Sequence, residues 1–552
     1  MKRFLLKVCT FVLTFTFIFN ISAGAVRVLT PPIWYPYGTL ADNENLPIPK
    51  DDKMHSMESM GSIAPYGTAQ KFTSNVDGYS ILVPSDMKVD MSYSDIGAYF
   101  ESEHISLRVM KETFKTAGER ESYLNYSNRF TLNTADHVVE RQESYSSGVY
   151  TYHILQWTRK KLSAVENDKN YYANVDVCVG ARVYTFFFKA DAPFNTYGGY
   201  MDIVNSIETF DPTVPAENAY NKGYKKSGVS HLNGSAKRTY DKLFSDDADF
   251  KMGMFAPDKF GGLKRMEEFE STIGYKFCAF LVYTEFPDKD GYSGLNYINK
   301  VNSYISQIET NLNYASLTDR AIELTLQTPL SRKSSKNMIY EILDGRYDEF
   351  IDAYAKMIAR HRGTTVLFRP FNEMNSDWCN YSAYHTSRDP EIYVLLYKYL
   401  HSKFTEAGCD NVIWVWNPNE KSFPNYKWTH EALYYPGDEF VDVYGITGYN
   451  TGTYYSAEIW RSFDEIYAPI YERAERVNEK PMMITEYACS SIGGDKVAWT
   501  EDMFNTLSKY DKIKVGIWWH AADYDGENLA RPYFIDTPDG MLDVFKKHLG
   551  GN

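Results

Sequence analysis

Apolar residues in this chain gather into short runs rich in Val, Ile, Phe and Tyr, and the spacing of those runs divides the chain in two. Between residues 71 and 212 the runs "YSILVPS", "ISLRVMKE", "VYTYHILQWTR", "NVDVCVG" and "RVYTFFFKA" follow one another closely. One helical stretch, near 117 to 129, interrupts them, and a second, "GGYMDIVNSIETF", follows the last. Successive strands with few helices predict a small antiparallel α+β domain over 71–212. Residues 213–245, polar and rich in Gly, Asn, Ser and Lys, read as a linker. Beyond it the rhythm changes. Eight β-rich runs recur: "KMGMFAP" from Lys251, "KFCAFLVYTE" from Lys276, "AIELTLQT" from Ala321, "TTVLFRPF" from Thr364, "NVIWVWN" from Asn411, "VDVYGIT" from Val441, "PMMITEY" from Pro481 and "KVGIWWH" from Lys514. Most are separated by a helix-like segment such as "YDEFIDAYAKMIARH". Near-continuous apolar strands alternating with helices predict a parallel sheet. Eight of them predict an α/β fold, a (β/α)8 TIM barrel over residues 246–552, preceded by the small antiparallel α+β domain. An open doubly wound sheet is the competing arrangement, and no G-x-G-x-x-G follows any run to support it.

The first residues follow another pattern. Lys2 and Arg3 precede an apolar stretch from Val8 to Ile21 that ends at Ala23-Gly24-Ala25, the layout of a secretory signal peptide over residues 1–25. Residues 26–70, rich in Pro, Asp, Asn and Met without periodicity, read as an extended lead-in. The expectation is a secreted, extracellular protein, or one held at the cell surface, with no membrane segment once the signal is removed. A length of 552 residues implies two or three domains. The net charge of -14, with no basic block, argues against nucleic acid as a partner. Cys9 leaves with the signal. Cys178, Cys278, Cys379, Cys409 and Cys489 remain, scattered and without a C-x-x-C pair, which gives neither a disulfide framework nor a zinc site. The 46 tyrosines suit a surface that stacks on sugars, and equally suit an ordinary aromatic core.

In a (β/α)8 barrel the reactive groups sit where the strands end. The fourth run ends Arg369-Pro370-Phe371-Asn372-Glu373 and the seventh ends Thr485-Glu486-Tyr487. Strands four and seven lie on opposite sides of an eight-stranded ring, so two glutamates would face each other across its mouth. Glycoside hydrolysis needs such a pair, one carboxyl protonated to release the leaving oxygen and the other ionised to meet positive charge at the anomeric carbon. No G-x-S-x-G, H-E-x-x-H or P-loop offers another chemistry.

The stretches "DGRYDEFIDAYA", "LFRPFNEMNSDW", "NVIWVWNPNE", "YYPGDEFVDVYGITGYN", "KPMMITEYA" and "GIWWHAAD" occur in an order that resembles glycoside hydrolase family 26, the retaining β-mannanase, lichenase and β-1,3-xylanase family. The resemblance covers about residues 245–548 and identifies a divergent member. It implies that Glu373 is the acid/base and Glu486 the nucleophile of a retaining endo-β-glycanase. It further implies that Arg369 bonds near the nucleophile, that Tyr449 donates a hydrogen bond to it, and that Trp378 and Trp518 flank the cleavage point and the -1 sugar. Two positions depart from the family. Asn372 replaces the usual histidine before the acid/base, and Thr447 replaces the usual aspartate before the tyrosine; both belong to one active-site network, so the joint change reads as compensated. Asn372 would contact the sugar 2-hydroxyl. The segment "CNYSAYHTSRDP" replaces a Trp-rich loop, so contacts on that side should differ. The expected partner is a polysaccharide, of β-mannan or β-glucan type or made by the same cell, bound by a monomer that needs no cofactor or metal. The competing expectation is a catalytically inactive polysaccharide-binding or assembly protein at the cell surface.

Overall fold

The computed structural model describes residues 60–551, apart from 92, 163, 164, 166, 216–228, 291, 293 and 331. The expected signal peptide over 1–25 and most of the expected lead-in lie outside the described residues. The N-terminal domain is built on two antiparallel sheets. Four strands, Gly61–Tyr66, Ala69–Ser74, Tyr79–Pro84 and Glu208–Thr209, form the smaller one in that order. The larger has seven, running in space Lys88–Asp90, Ala98–Glu101, Ile105–Thr113, Arg182–Ala190, Tyr171–Val179, Tyr150–Arg159 and His137–Ser147. Phe72, Ile81, Phe100, Phe186 and Phe188 belong to the core between them, with Phe72 edge-on to Phe100 at 4.9 Å. Helix Ala117–Ser127 starts at a reciprocal cap, in which Thr116 accepts from the Glu119 N–H and the Glu119 carboxylate accepts from the Thr116 N–H.

Eight parallel strands close the barrel: β1 Lys251–Phe255, β2 Ala279–Val282, β3 Ala321–Leu326, β4 Val366–Pro370, β5 Val412–Trp416, β6 Val443–Asn450, β7 Met482–Cys489 and β8 Ile513–Trp519. Strand β8 pairs back onto β1, from Lys251 opposite Val515 to Phe255 opposite Trp519. Helices follow every strand except β5, where three short 3-10 turns, the first at Lys427–Thr429 and the last at Asp438–Phe440, lead to β6. Alternation along each strand sets what fills the barrel. Leu281, Leu367, Ile413, Val415, Val443, Met483, Val515 and Ile517 form the interior cluster, while Phe368, Trp414, Ile484 and Trp518 face the surrounding helices. Helix Gly234–Phe244 packs Ala236, Tyr240, Leu243 and Phe244 against that interior cluster. It falls in the segment expected to be a linker, and strand Gly61–Tyr66 falls in the segment expected to be an extended lead-in, so both segments hold regular structure.

The two domains meet through charge. Arg108 lies 2.9 Å from Glu391, and Lys189 lies 2.8 Å from Asp389 and 2.6 Å from Glu391. Tyr172 donates to Asp389 at 2.9 Å and Arg388 donates to Tyr123 at 2.7 Å. The barrel residues in this set, Arg388, Asp389 and Glu391, lie at the end of the loop that leaves β4 and at the first residue of the helix that follows it, Glu391–Glu406. The N-terminal domain therefore fastens the loop that leaves β4.

Candidate active site

Stepping by two along the strands from residues of the barrel interior shows which side chains meet at its mouth. From Leu281 on β2 the step reaches Tyr283, from Ala321 on β3 it reaches Glu323, and from Leu367 on β4 it reaches Arg369. Arg369 is fully buried, with Nε 2.7 Å from Glu323, Nη1 2.5 Å from Glu486, and Nη1 donating to Asn417 at 2.9 Å. Glu486 joins this layer through an irregularity. Ile446 on β6 pairs with Ile484, and Thr447 with Glu486, so Thr485 is an extra residue on β7. Strict alternation from Met483 would aim Glu486 outward, and the bulge turns it in. Its Oε1 also accepts from the Tyr283 hydroxyl, and its Oε2 accepts from the Tyr449 hydroxyl at 2.8 Å. Burial first, then the charge of Glu486, raises both phenols well above their usual range, so they remain donors. A guanidinium and two hydroxyls thus surround one carboxylate with donors only.

Glu373 stands in other surroundings. Phe371 and Glu373 have φ of 51° and 57°, left-handed conformations that side chains other than glycine adopt at a cost of about 1–3 kcal/mol each. The Phe371 N–H, donating to Leu326 O at 3.0 Å, and the Glu373 N–H, donating to Asn417 O at 2.8 Å, hold this turn. The turn carries Glu373 to the cleft, where its Oε2 accepts from Trp378 Nε1 at 2.9 Å. Burial, then repulsion from Glu486, pushes its carboxyl up to about 7. One carboxylate is ringed by donors and the other carboxyl holds its proton towards neutral pH, an arrangement that lets two like groups take different roles. Glu323 is pushed up to about 8 by burial, against the pull of Arg369. The Arg369 Nε–H does not point at Glu323, whose oxygens accept no hydrogen bond, so the guanidinium is directed to Glu486 and Asn417.

The structure brings together Arg369, Glu373, Glu486, Tyr449 and Trp378, and it relocates one expected residue. Trp518 is fully buried, edge-on to Tyr487 and Phe545, with its N–H given to Tyr533 O at 3.0 Å. It offers no face to a sugar. Its neighbour Trp519 lies one residue on and therefore on the opposite face of β8. Trp519 stacks on Phe255 at 4.1 Å and lines the cleft with Trp378, Phe423, Tyr449 and Tyr533. The cleft encloses about 550 Å³. Asn372 accepts from Gln327 at 2.6 Å, whereas Thr447 lies 3.3 Å from both Asn417 and Thr485. The two replaced positions thus rest on different partners. Sequence reasoning missed Tyr283, Glu323, Gln327 and Asn417. A glutamate inside the apolar run "AIELTL" was the signal for Glu323, and the two-residue step was the signal for Tyr283.

Residues 315–510, from the helix before β3 to the approach to β8, match the model of glycosyl hydrolase family 26. Over 214 residues the chain is 30% identical to endoglucanase H of Acetivibrio thermocellus, covering 38% of this chain and 23% of that protein. Over 100 residues it is 35% identical to a mannan endo-1,4-beta-mannosidase of Bacillus subtilis, covering 17% of this chain and 26% of that protein. The chain thus spans about a quarter of the length of the curated relatives it matches. A solved catalytic domain of a Bacillus sp. JAMB-750 endo-beta-1,4-mannanase is similar at 18% identity and a TM-score of 0.44, covering 58% of this chain and 90% of that one. Over residues 315–510 the barrel of this chain is thus similar to glycosyl hydrolase family 26.

Proposed function

We propose that this protein is a secreted, retaining endo-β-glycanase that cuts a β-linked polysaccharide of the mannan or glucan type. The observation that carries the reading is the inequality of the two glutamates: Glu486 among three donors, Glu373 pushed up to about 7. The names of the relatives, an endoglucanase and a mannan endo-1,4-beta-mannosidase, support the substrate class. In the first step Glu373 gives its proton to the glycosidic oxygen as the bond to the anomeric carbon breaks, and a Glu486 oxygen bonds to that carbon from the other face. In the second, Glu373, now ionised, takes a proton from water as the water oxygen displaces Glu486. Arg369, Tyr283 and Tyr449 orient the nucleophile, Trp378 orients the acid, and Trp519 presents an aromatic face to the pyranose. On this reading Asn372 would contact the sugar 2-hydroxyl. Residues 1–25 direct export.

The test is reducing-sugar release by purified residues 26–552 on mannan, galactomannan, mixed-linkage β-glucan and β-1,3-xylan, with the Glu486→Gln variant beside it. Release on one glycan that vanishes in the variant supports the reading and names the substrate. Release that persists in the variant, or none on any glycan, contradicts it.

A further inference from the structure

A second cavity, of about 550 Å³, opens between the domains. One wall is Arg129, Leu132 and Asn133 of the N-terminal domain, beside the 3-10 turn Arg129–Leu132; the other comes from the loops that leave β3 and β4. It lies on the catalytic side of the barrel. Thr328, which lines it, follows Gln327, whose amide holds Asn372 beside Glu373. Asn380 and His385, also lining it, belong to the loop that carries Trp378. The walls are tied together: the Asn337 N–H donates to Asp136 at 2.6 Å, and the Asn337 side chain donates to the Asn380 carbonyl at 2.8 Å.

Three features of the cavity point to a ligand. Thr328 is 3% exposed and its hydroxyl has no partner, a buried polar group awaiting one. Leu132 and Leu330, 80% and 78% exposed, offer apolar surface from opposite domains. Among the described residues that line it none is acidic, although the chain carries a net charge of -14. Of its cations, Arg332 is taken by Asp288, Asp290 and Glu341. Arg129 and Lys336 are exposed and in no ion pair among the described residues. Asp136, which does not line the cavity, is occupied by Asn133 and the Asn337 N–H.

Resting on the reading of the barrel as a glycanase, we infer that this interdomain cavity is a distal subsite for a sugar bearing a carboxylate or another anionic group. Arg129 and Lys336 would meet the anion, and Thr328 and Asn133 would meet hydroxyls. The N-terminal domain then supplies half of a binding site as well as holding a loop. Its presence would bias the enzyme towards an acidic glycan.

The probe is a β-1,4-linked glucuronate tetrasaccharide, with cellotetraose as its neutral counterpart. Calorimetric titration into the Glu486→Gln chain avoids turnover, and the same chain with Arg129→Ala and Lys336→Ala is compared. The expected result is that the acidic tetrasaccharide binds and loses about tenfold in affinity in the added double variant, while cellotetraose is unaffected. Equal affinity of the acidic sugar for both chains, or no binding of it, overturns the assignment. Equal weakening of both sugars overturns its anionic part. Both substituted residues are exposed, and a Lys336→Glu variant, expected to weaken the acidic sugar further, guards against a folding artefact. Failure of the glycanase reading is seen separately, as absence of sugar release by the unsubstituted chain.

Discussion

Glu373 and Glu486 are one residue type in two settings: donors surround Glu486, while Glu373 is raised by its own burial and by Glu486. Glu373 is raised by burial first and by Glu486 second, so the unfolded chain, where a glutamate titrates at about 4.3, releases that proton at a lower pH than the folded one. Between about 4.5 and 7 the native state holds more protons, and this group's contribution to stability falls as pH rises. Glu373→Gln is therefore expected to lose hydrolysis on the order of a thousandfold while unfolding at higher denaturant at pH 8, by about 1 kcal/mol after discounting its partial exposure. A lower midpoint at pH 8 would contradict the electrostatic account. On the proposed mechanism the same carboxyl would set the basic limb of the pH profile. The kcat/KM is expected to fall as pH rises through about 7. The Trp378 N–H favours the ionised form, so Trp378→Phe should move that limb upward. A limb that does not move would remove Trp378 from the role.

Among the elements, β8 shows how far an apolar pattern reaches. The run "KVGIWWH" marks the strand but not which tryptophan faces in, and the resemblance chose Trp518. Counting in twos from Val515 and Ile517 reaches Trp519 instead. Trp518→Ala is expected to destabilise by about 3–5 kcal/mol with kcat/KM on the folded fraction little changed. Trp519→Ala should instead raise KM with a small change in melting temperature; the reverse pattern would contradict the assignment of faces. All eight barrel strands were legible because continuous apolar runs are what a sheet covered on both faces requires. The bulge at Thr485 was not, since "PMMITEY" reads as an unbroken strand and only pairing with β6 and β8 exposes the irregularity. Strand Gly61–Tyr66 escaped because "GSIAPY" is short and mostly exposed, so little apolar burial marks it. Helix Gly234–Phe244 was masked by polar composition, although Ala236, Tyr240, Leu243 and Phe244 stand at helical spacing.

Buried charge joins the two domains. Glu391 lies below the usual carboxylate range: burial opposes this, and Lys189 and Arg108 outweigh it. Its contribution to stability is present above about 4.3 and is lost as pH falls through its lower folded value, opposite in sign to Glu373. Glu391→Ala would leave Arg108 and Lys189 buried with one carboxylate fewer and is expected to destabilise by about 3–5 kcal/mol, measured by denaturant unfolding at pH 7. A loss under about 1 kcal/mol would mean that the domains are joined by something other than these pairs. Because the same contacts fasten the loop that carries Trp378, the N-terminal domain and the catalytic cleft form one mechanical unit. Azide rescue separates the two glutamates of that cleft. Azide replaces a missing nucleophile or enters after the glycosyl-enzyme forms, and the two routes give opposite anomers of the glycosyl azide. On an activated aryl β-glycoside of whichever glycan is cut, read by proton NMR, Glu486→Ala is expected to give the α-azide and Glu373→Ala the β-azide. The same anomer from both variants, the two anomers exchanged, or no rescue in either, would contradict the assignment of nucleophile and acid.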